Sequence, residues 1–145
     1  LSIDPVEEAK YRFKLASTHL ARAERLLGIG DTASTIHFAQ LAIENFAKAI
    51  IALYEIPTWS HDPSSQLLSL IDRLPQSLVE LVRELALIAR EAAPEHGRST
   101  YGEPSKGLIP NEIYTETHAK EFVTKARKAR DIALRVFEEL NIAIS

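Results

Sequence analysis

The chain has 145 residues, 46% of them hydrophobic and 26% charged, with a formal net charge of -3 and no cysteine. Those values fit one globular domain over residues 1–145, long enough to bury a core without covalent staples. They exclude a disulfide scaffold, a Cys-ligated zinc site and a cysteine nucleophile, and they give no overall pull toward nucleic acid or membrane.

No apolar run is long enough to span a bilayer. The opening "LSIDPVEEAK" lacks the basic and apolar regions of a secretory signal. The default expectation is a cytoplasmic protein with no membrane partner. Methionine is absent and Asn and Gln are scarce, a hint of a thermophilic source.

The first predicted helix begins at "DPVEEAK". Asp4 suits the N-cap, Pro5 the first turn, and Glu7 completes a capping-box pattern. Phe13, Leu20 and Leu27 recur seven apart with Ala9, Ala16 and Ala23 between them, forming one apolar stripe. Gly28 and Gly30 end it. The second helix, "DTASTIHFAQLAIENFAKAIIALYE", is capped by Asp31 and apolar on most of its circumference, so it is expected to be central. Its alanines (39, 42, 47, 49 and 52) allow close helix approach, and with the last helix it is the expected association surface. Gln40, Glu44 and Lys48 stand at i, i+4 and i+8 and share one face. That face is either a solvated stripe or local ion pair, or a polar rail toward a partner or cleft.

Asp62 and Pro63 signal a second cap and first turn, and a short helix through Leu67, Leu68 and Ile71 should stop near Pro75. Trp59 and His61 fall in the preceding loop, either packing and capping or lining a site. "QSLVELVRELALIAREAA" is a strongly amphipathic helix that Pro94 should end. A loop of about 20 residues is expected from there to Tyr114, and loops of that length are usually functional or disordered. Thr115 caps the last helix, whose Phe122, Ala126, Ala129, Ala133, Val136 and Leu140 form a heptad-like seam. Lys120, Lys125, Arg127, Lys128, Arg130 and Arg135 occupy its other faces, against only Glu121 and Asp131. They form either a solvated surface or a basic flank for a phosphate-bearing ligand. No strand-period segment is present. The predicted fold is an all-α, up-and-down bundle of four long helices and one short one.

Most enzyme templates fail. There is no phosphate-binding glycine loop and no dinucleotide fingerprint. The five histidines (19, 37, 61, 96 and 118) are scattered, so a metal site would need long-range convergence. No metal and no cofactor are expected. The 90–104 stretch, "REAAPEHGRSTYGEP", remains. An imidazole titrating near neutrality, here His96, can take a proton from a ribose 2′-hydroxyl or return one to a leaving oxygen. A guanidinium, Arg90 or Arg98, can clamp a phosphate and offset charge developing on it. The structural alternative pairs Arg98 with Glu95 or Glu103 and packs Tyr101 onto the bundle.

Three stretches carry a family resemblance. "GDTASTIHFAQLAIENFAKAIIAL", "SHDPSSQLLSLI" and "HGRSTYGEP…YTETHAKEFVTKARKA" follow one another as in the HEPN domain. They resemble its second helix, its His-containing turn with a short helix, and its Arg–Tyr loop with a final helix. The resemblance implies a helical homodimer, in many members a nucleotidyltransferase-type partner, and often a toxin–antitoxin setting. It also implies, for many members, metal-independent RNA cleavage by an Arg and a His across a short spacer. By position that pair is Arg90 and His96, although Glu91 and Pro94 depart from the pattern and Pro94 could turn His96 away. The Arg98–Tyr101 loop is similar to a subgroup for which nucleotide binding is the expectation. The expected ligand is therefore a nucleotide or RNA phosphate beside the 96–107 loop. Arg98 and Tyr101 would hold it, with Lys125 and Lys128 alongside and Gln40, Glu44 and Lys48 as the polar face of the second helix. Cleavage by Arg90 and His96, and a docking module that binds neither, are the alternatives.

Overall fold

The computed structural model describes residues 4–144. Seven α-helices follow in order: α1 Pro5–Gly28, α2 Thr32–Ala52, α3 Ser64–Ser69, α4 Val79–Ala92, α5 Glu95–Tyr101, α6 Pro110–Ile113 and α7 Glu116–Glu139. Short 3-10 turns at Ile71–Arg73, Gln76–Leu78 and Pro104–Lys106 join them. No strand occurs among the described residues; the one strand-like feature is an isolated antiparallel bridge between Glu103 and Leu108. The all-helical bundle is as expected, and its four long helices are α1, α2, α4 and α7.

The start signals act as the side chains dictate. Asp4 accepts a hydrogen bond from the Val6 amide and Asp31 from the Ser34 amide. Thr115 accepts from the His118 amide, while His118 Nδ1 reaches back to the Thr115 amide as a capping box.

α2 runs through the centre, packed most extensively on α1 and α7. Every residue from Ala42 to Ala52 is buried. The five alanines do allow close helix approach, within the chain's own bundle: α1, α4, α5 and α7 cover α2, so its alanine face is not open to a second chain as an association surface. Small side chains there let the neighbouring backbones close in. Larger ones fill the layers between: Phe13 of α1 meets Phe46 edge-on at 5.2 Å and Phe137 of α7 at 5.5 Å. The α7 seam faces the same core, with Ala126, Ala129, Ala133 and Val136 buried.

The segment expected as a long loop is largely helical. Pro94 does end α4, but a proline is tolerated at a helix start, and α5 begins at the next residue. The Glu95–Arg98 pair, one turn apart, braces this short helix. Gly102 then turns the chain at φ +74°, and a side chain there would collide with the Leu108 carbonyl oxygen. α5 therefore lies against α2 as a fixed element.

Candidate functional site

Gln40, Glu44 and Lys48 follow one another on successive turns of α2. They are 1%, 6% and 4% exposed, which removes the solvated-stripe reading. A buried charge is stable only when it is paired and hydrogen-bonded. Lys48 Nζ donates to Glu44 Oε2 at 2.9 Å, and Gln40 Nε2 donates to Glu44 Oε1 at 3.1 Å. Burial by itself raises the Glu44 pKa. The hydrogen bond and charge of Lys48, with the hydrogen bonds from Gln40 and His61, outweigh it and hold the carboxyl below its ordinary value of 4.5.

Two histidines from distant parts of the chain complete this rail. His61, in the connection between α2 and α3, places Nδ1 3.0 Å from Glu44 Oε1. His96, in α5, places Nδ1 2.9 Å from Gln40 Oε1. Both partners are acceptors, so both Nδ1 atoms carry a proton, and in the neutral His96 ring Nε2 is the free basic nitrogen. The rings stack, with centroids 3.6 Å apart and planes 18° from parallel. His37 of α2 stands 5.4 Å from His96, with Nδ1 3.1 Å from Ser99 Oγ. The convergence that scattered spacing argued against does occur: three of the five histidines meet on one face. The His96 pKa is lowered chiefly by burial and then by neighbouring His61, so the ring is neutral at neutral pH.

Arg90 and His96 each contact the 61–64 segment. Arg90, exposed on α4, donates from Nε to Ser64 Oγ at 3.1 Å. Ser64 begins α3, three residues after His61, and His61 is the ring stacked on His96. Pro94 does not turn His96 out of the bundle; the ring faces α2.

The other face of α5 holds Arg98. Its guanidinium donates to both Glu95 and Glu103, so both carboxylates considered for the structural alternative are engaged. The Glu103 hydrogen bond raises the Arg98 pKa. Tyr101 is 77% exposed and does not pack the loop down. Tyr114 fixes this segment instead, since it is buried and donates its hydroxyl to Glu95 Oε1 at 2.9 Å. Burial, then the Glu95 hydrogen bond, raise the pKa of that phenol. A cleft lies here between α2, α5 and α7, lined by Ile36, Glu95, Arg98, Tyr114, His118 and Phe122. On α7, Lys128 sits 3.7 Å from Glu84 and Lys125 lies over the Phe122 ring at 5.5 Å. Arg127 is bound to Glu24, and much of the basic flank is thereby offset.

The sequence left His61 open, as packing and capping or as lining a site, and did not single out His37, Ser64 or Ser99. One signal pointed toward them: a row of polar side chains on a helix that is otherwise apolar must find partners from elsewhere in the fold.

Fold and site together define a small all-helical domain with a buried polar rail that orients two imidazoles. The family model of the HEPN domain matches residues 9–137, and the chain belongs to the HEPN domain family. It is also similar to the crystal structure of TT1696 from Thermus thermophilus, at 23% identity and a TM-score of 0.62, over 88% of this chain and 97% of that one. At that identity the likeness carries the fold alone. No curated protein matches. Among the described residues no helix is long and apolar enough to cross a membrane.

Two predictions test the energetics of the rail. Lys48→Met leaves Glu44 buried without its cation and should lower the unfolding free energy by about 3 kcal/mol. The double variant Glu44→Gln, Lys48→Met should recover most of that loss in urea denaturation; a single variant as stable as the parent would contradict the buried pair. The second concerns pH. Burial holds the His19, His37 and His96 pKa values below 6.5. Below 6.5 the unfolded chain therefore binds protons that the folded chain refuses. This contribution to stability is complete above that pH and falls as the solution is acidified toward the folded pKa values. The Glu44 contribution is lost only further down, as pH drops through a folded pKa that lies below 4.5. The urea midpoint should therefore decline between about pH 7 and about pH 5, and a level or rising midpoint would refute the assignment.

Proposed function

We propose that this HEPN-family chain binds RNA at the histidine face and cleaves its phosphodiester backbone without a metal ion, using Arg90 and His96. The supporting observation is the orientation of His96. Gln40 fixes its Nδ1–H, burial keeps the ring neutral, and Nε2 is left as a base. In this reading Nε2 takes the proton of a ribose 2′-hydroxyl. The O2′–P bond forms, the P–O5′ bond breaks, and the proton returns to the departing 5′ oxygen. The products are a 2′,3′-cyclic phosphate and a 5′-hydroxyl. Arg90 offsets the charge that develops on the phosphate.

The nucleotide-binding alternative uses the cleft beside Arg98, with Tyr101, Lys125 and Lys128 as further contacts. It is supported by the cleft itself, but a phosphate there must compete with Glu95 and Glu103 for the guanidinium. The histidine face requires no such displacement, and we favour it.

Purified protein incubated with mixed-sequence RNA in excess chelator should cleave it. His96→Ala should abolish cleavage, and Arg90→Ala should slow it about 100-fold. Cleavage that persists in His96→Ala would reject the assignment. Absence of cleavage, with a nucleotide thermal shift that Arg98→Ala removes, would favour the cleft.

A second copy of the chain and a nucleotidyltransferase-type protein are the partners this reading expects. Ile56, Trp59 and Tyr101 are 88%, 96% and 77% exposed, and their positions near His61 and His96 in the chain suit an interface beside the site. Light scattering should give the mass of a dimer, reduced toward the monomer by Trp59→Asp. A monomeric parent would remove the homodimer from the proposal.

A further inference from the structure

Glu44, His61 and His96 each offer one ligand atom, and these atoms lie within 4.8 Å of one another. We propose that the three residues bind one divalent transition cation of the zinc type, through Glu44 Oε1 and Nδ1 of each histidine, with a fourth position left to water.

The donor set selects the class of ion. Two imidazoles and one carboxylate suit zinc and its neighbours, whereas calcium and magnesium take oxygen ligands. Spacing agrees. Ligands at about 2.0–2.1 Å from a tetrahedral zinc stand about 3.3 Å from each other. The His61 Nδ1 to Glu44 Oε1 separation is 3.0 Å. The hydrogen bond seen there is what two such ligands form when no cation lies between them.

The surroundings of the carboxylate are those of a held ligand. Lys48 is fixed on Oε2 and leaves Oε1 facing the histidines, and Gln40 bonds the same Oε1 from the side. Outer contacts of this kind orient metal ligands and set their affinity. The ligands come from three separate elements: α2, the connection before α3, and α5. A cation here would tie the 53–63 connection and α5 to the central helix.

Three adjustments are required, the first being that His96 Nδ1 leaves its 2.9 Å hydrogen bond to Gln40 Oε1. Each ring gives up its Nδ1 proton so that the nitrogen can ligate. The stacked rings must also open from 3.6 Å so that both lone pairs converge. The His61 side chain is 53% exposed on a connection outside the helices, and it can make that movement. His37 remains outside the set, on Ser99.

A cation on His96 Nδ1 places the ring proton on Nε2, the nitrogen that acts as base in the cleavage proposed above. The metal-bound form is therefore a non-cleaving state, and the two readings are tested separately; binding is read directly. The chelator-stripped full chain is titrated with Co2+, watching the visible absorption of a tetrahedral complex, and then with Zn2+ as competitor. About one Co2+ per chain should bind, and Zn2+ should displace it. His61→Ala and His96→Ala should each weaken binding at least tenfold, with unchanged helical circular dichroism. His118→Gln, which keeps a capping side chain at the start of α7, should bind as the parent does. Because His61 lies on an exposed connection, that variant decides even if a change at Glu44 impairs folding. Parent binding no tighter than that of His61→Ala, or binding lost in His118→Gln, would overturn the proposal.

Discussion

The buried carboxylate of Glu44 organises this molecule. It lies in the middle of the most deeply buried helix, where an unpaired charge could not be sustained. Lys48 from the next turn neutralises it, Gln40 from the turn before bonds it, and His61 reaches in from outside the helix. Because the amide nitrogen of Gln40 donates to Glu44, its carbonyl oxygen is the end that faces His96, and an oxygen that only accepts decides which nitrogen of His96 carries the proton. The tautomer of the candidate base thus follows from a hydrogen-bond chain that begins at a carboxylate one helical turn away.

The same helix explains why the rail is buried. A run of alanines gives α1 and α7 close access to α2, and the three phenylalanines at the centre fill the space between. α5, laid across the remaining side, closes over the polar face. The apolar part of α2 secures packing, and its polar row specifies where α5 and the 53–63 connection must sit. A half-satisfied network would cost more than an apolar core, so the polar row selects a single docking position for both elements.

The two faces of α5 divide the possible chemistry. On one, Arg98 is held between Glu95 and Glu103, with Tyr114 beneath, and its charge is used to brace the turn into the Gly102 bend. On the other, His96 is oriented yet retains a free nitrogen. Arg90, on the preceding helix, is tied by a single bond to Ser64 and remains exposed. Arg98, which the family resemblance made the expected phosphate holder, is the guanidinium most fully engaged within the protein, while the His96 imidazole keeps its capacity for proton exchange.

Helix positions, caps and the central place of α2 were legible in the sequence, because caps and apolar periodicity act over a few residues. Asp4, Asp31 and Thr115 each satisfy an amide within three positions of themselves. The polar row 40, 44, 48 was visible as well, but not whether it faced water or the interior. That required knowing what covers it. α5 was mistaken for a loop because a proline, a glycine and a short length weaken every local helix signal, and it is its docking against α2 that holds it. The meeting of His61 and His96 belongs to tertiary structure alone. They are 35 residues apart in the sequence, and no periodicity links them. Only when the chain folds around a charge that must be paired do the two rings arrive at the same carboxylate-centred network.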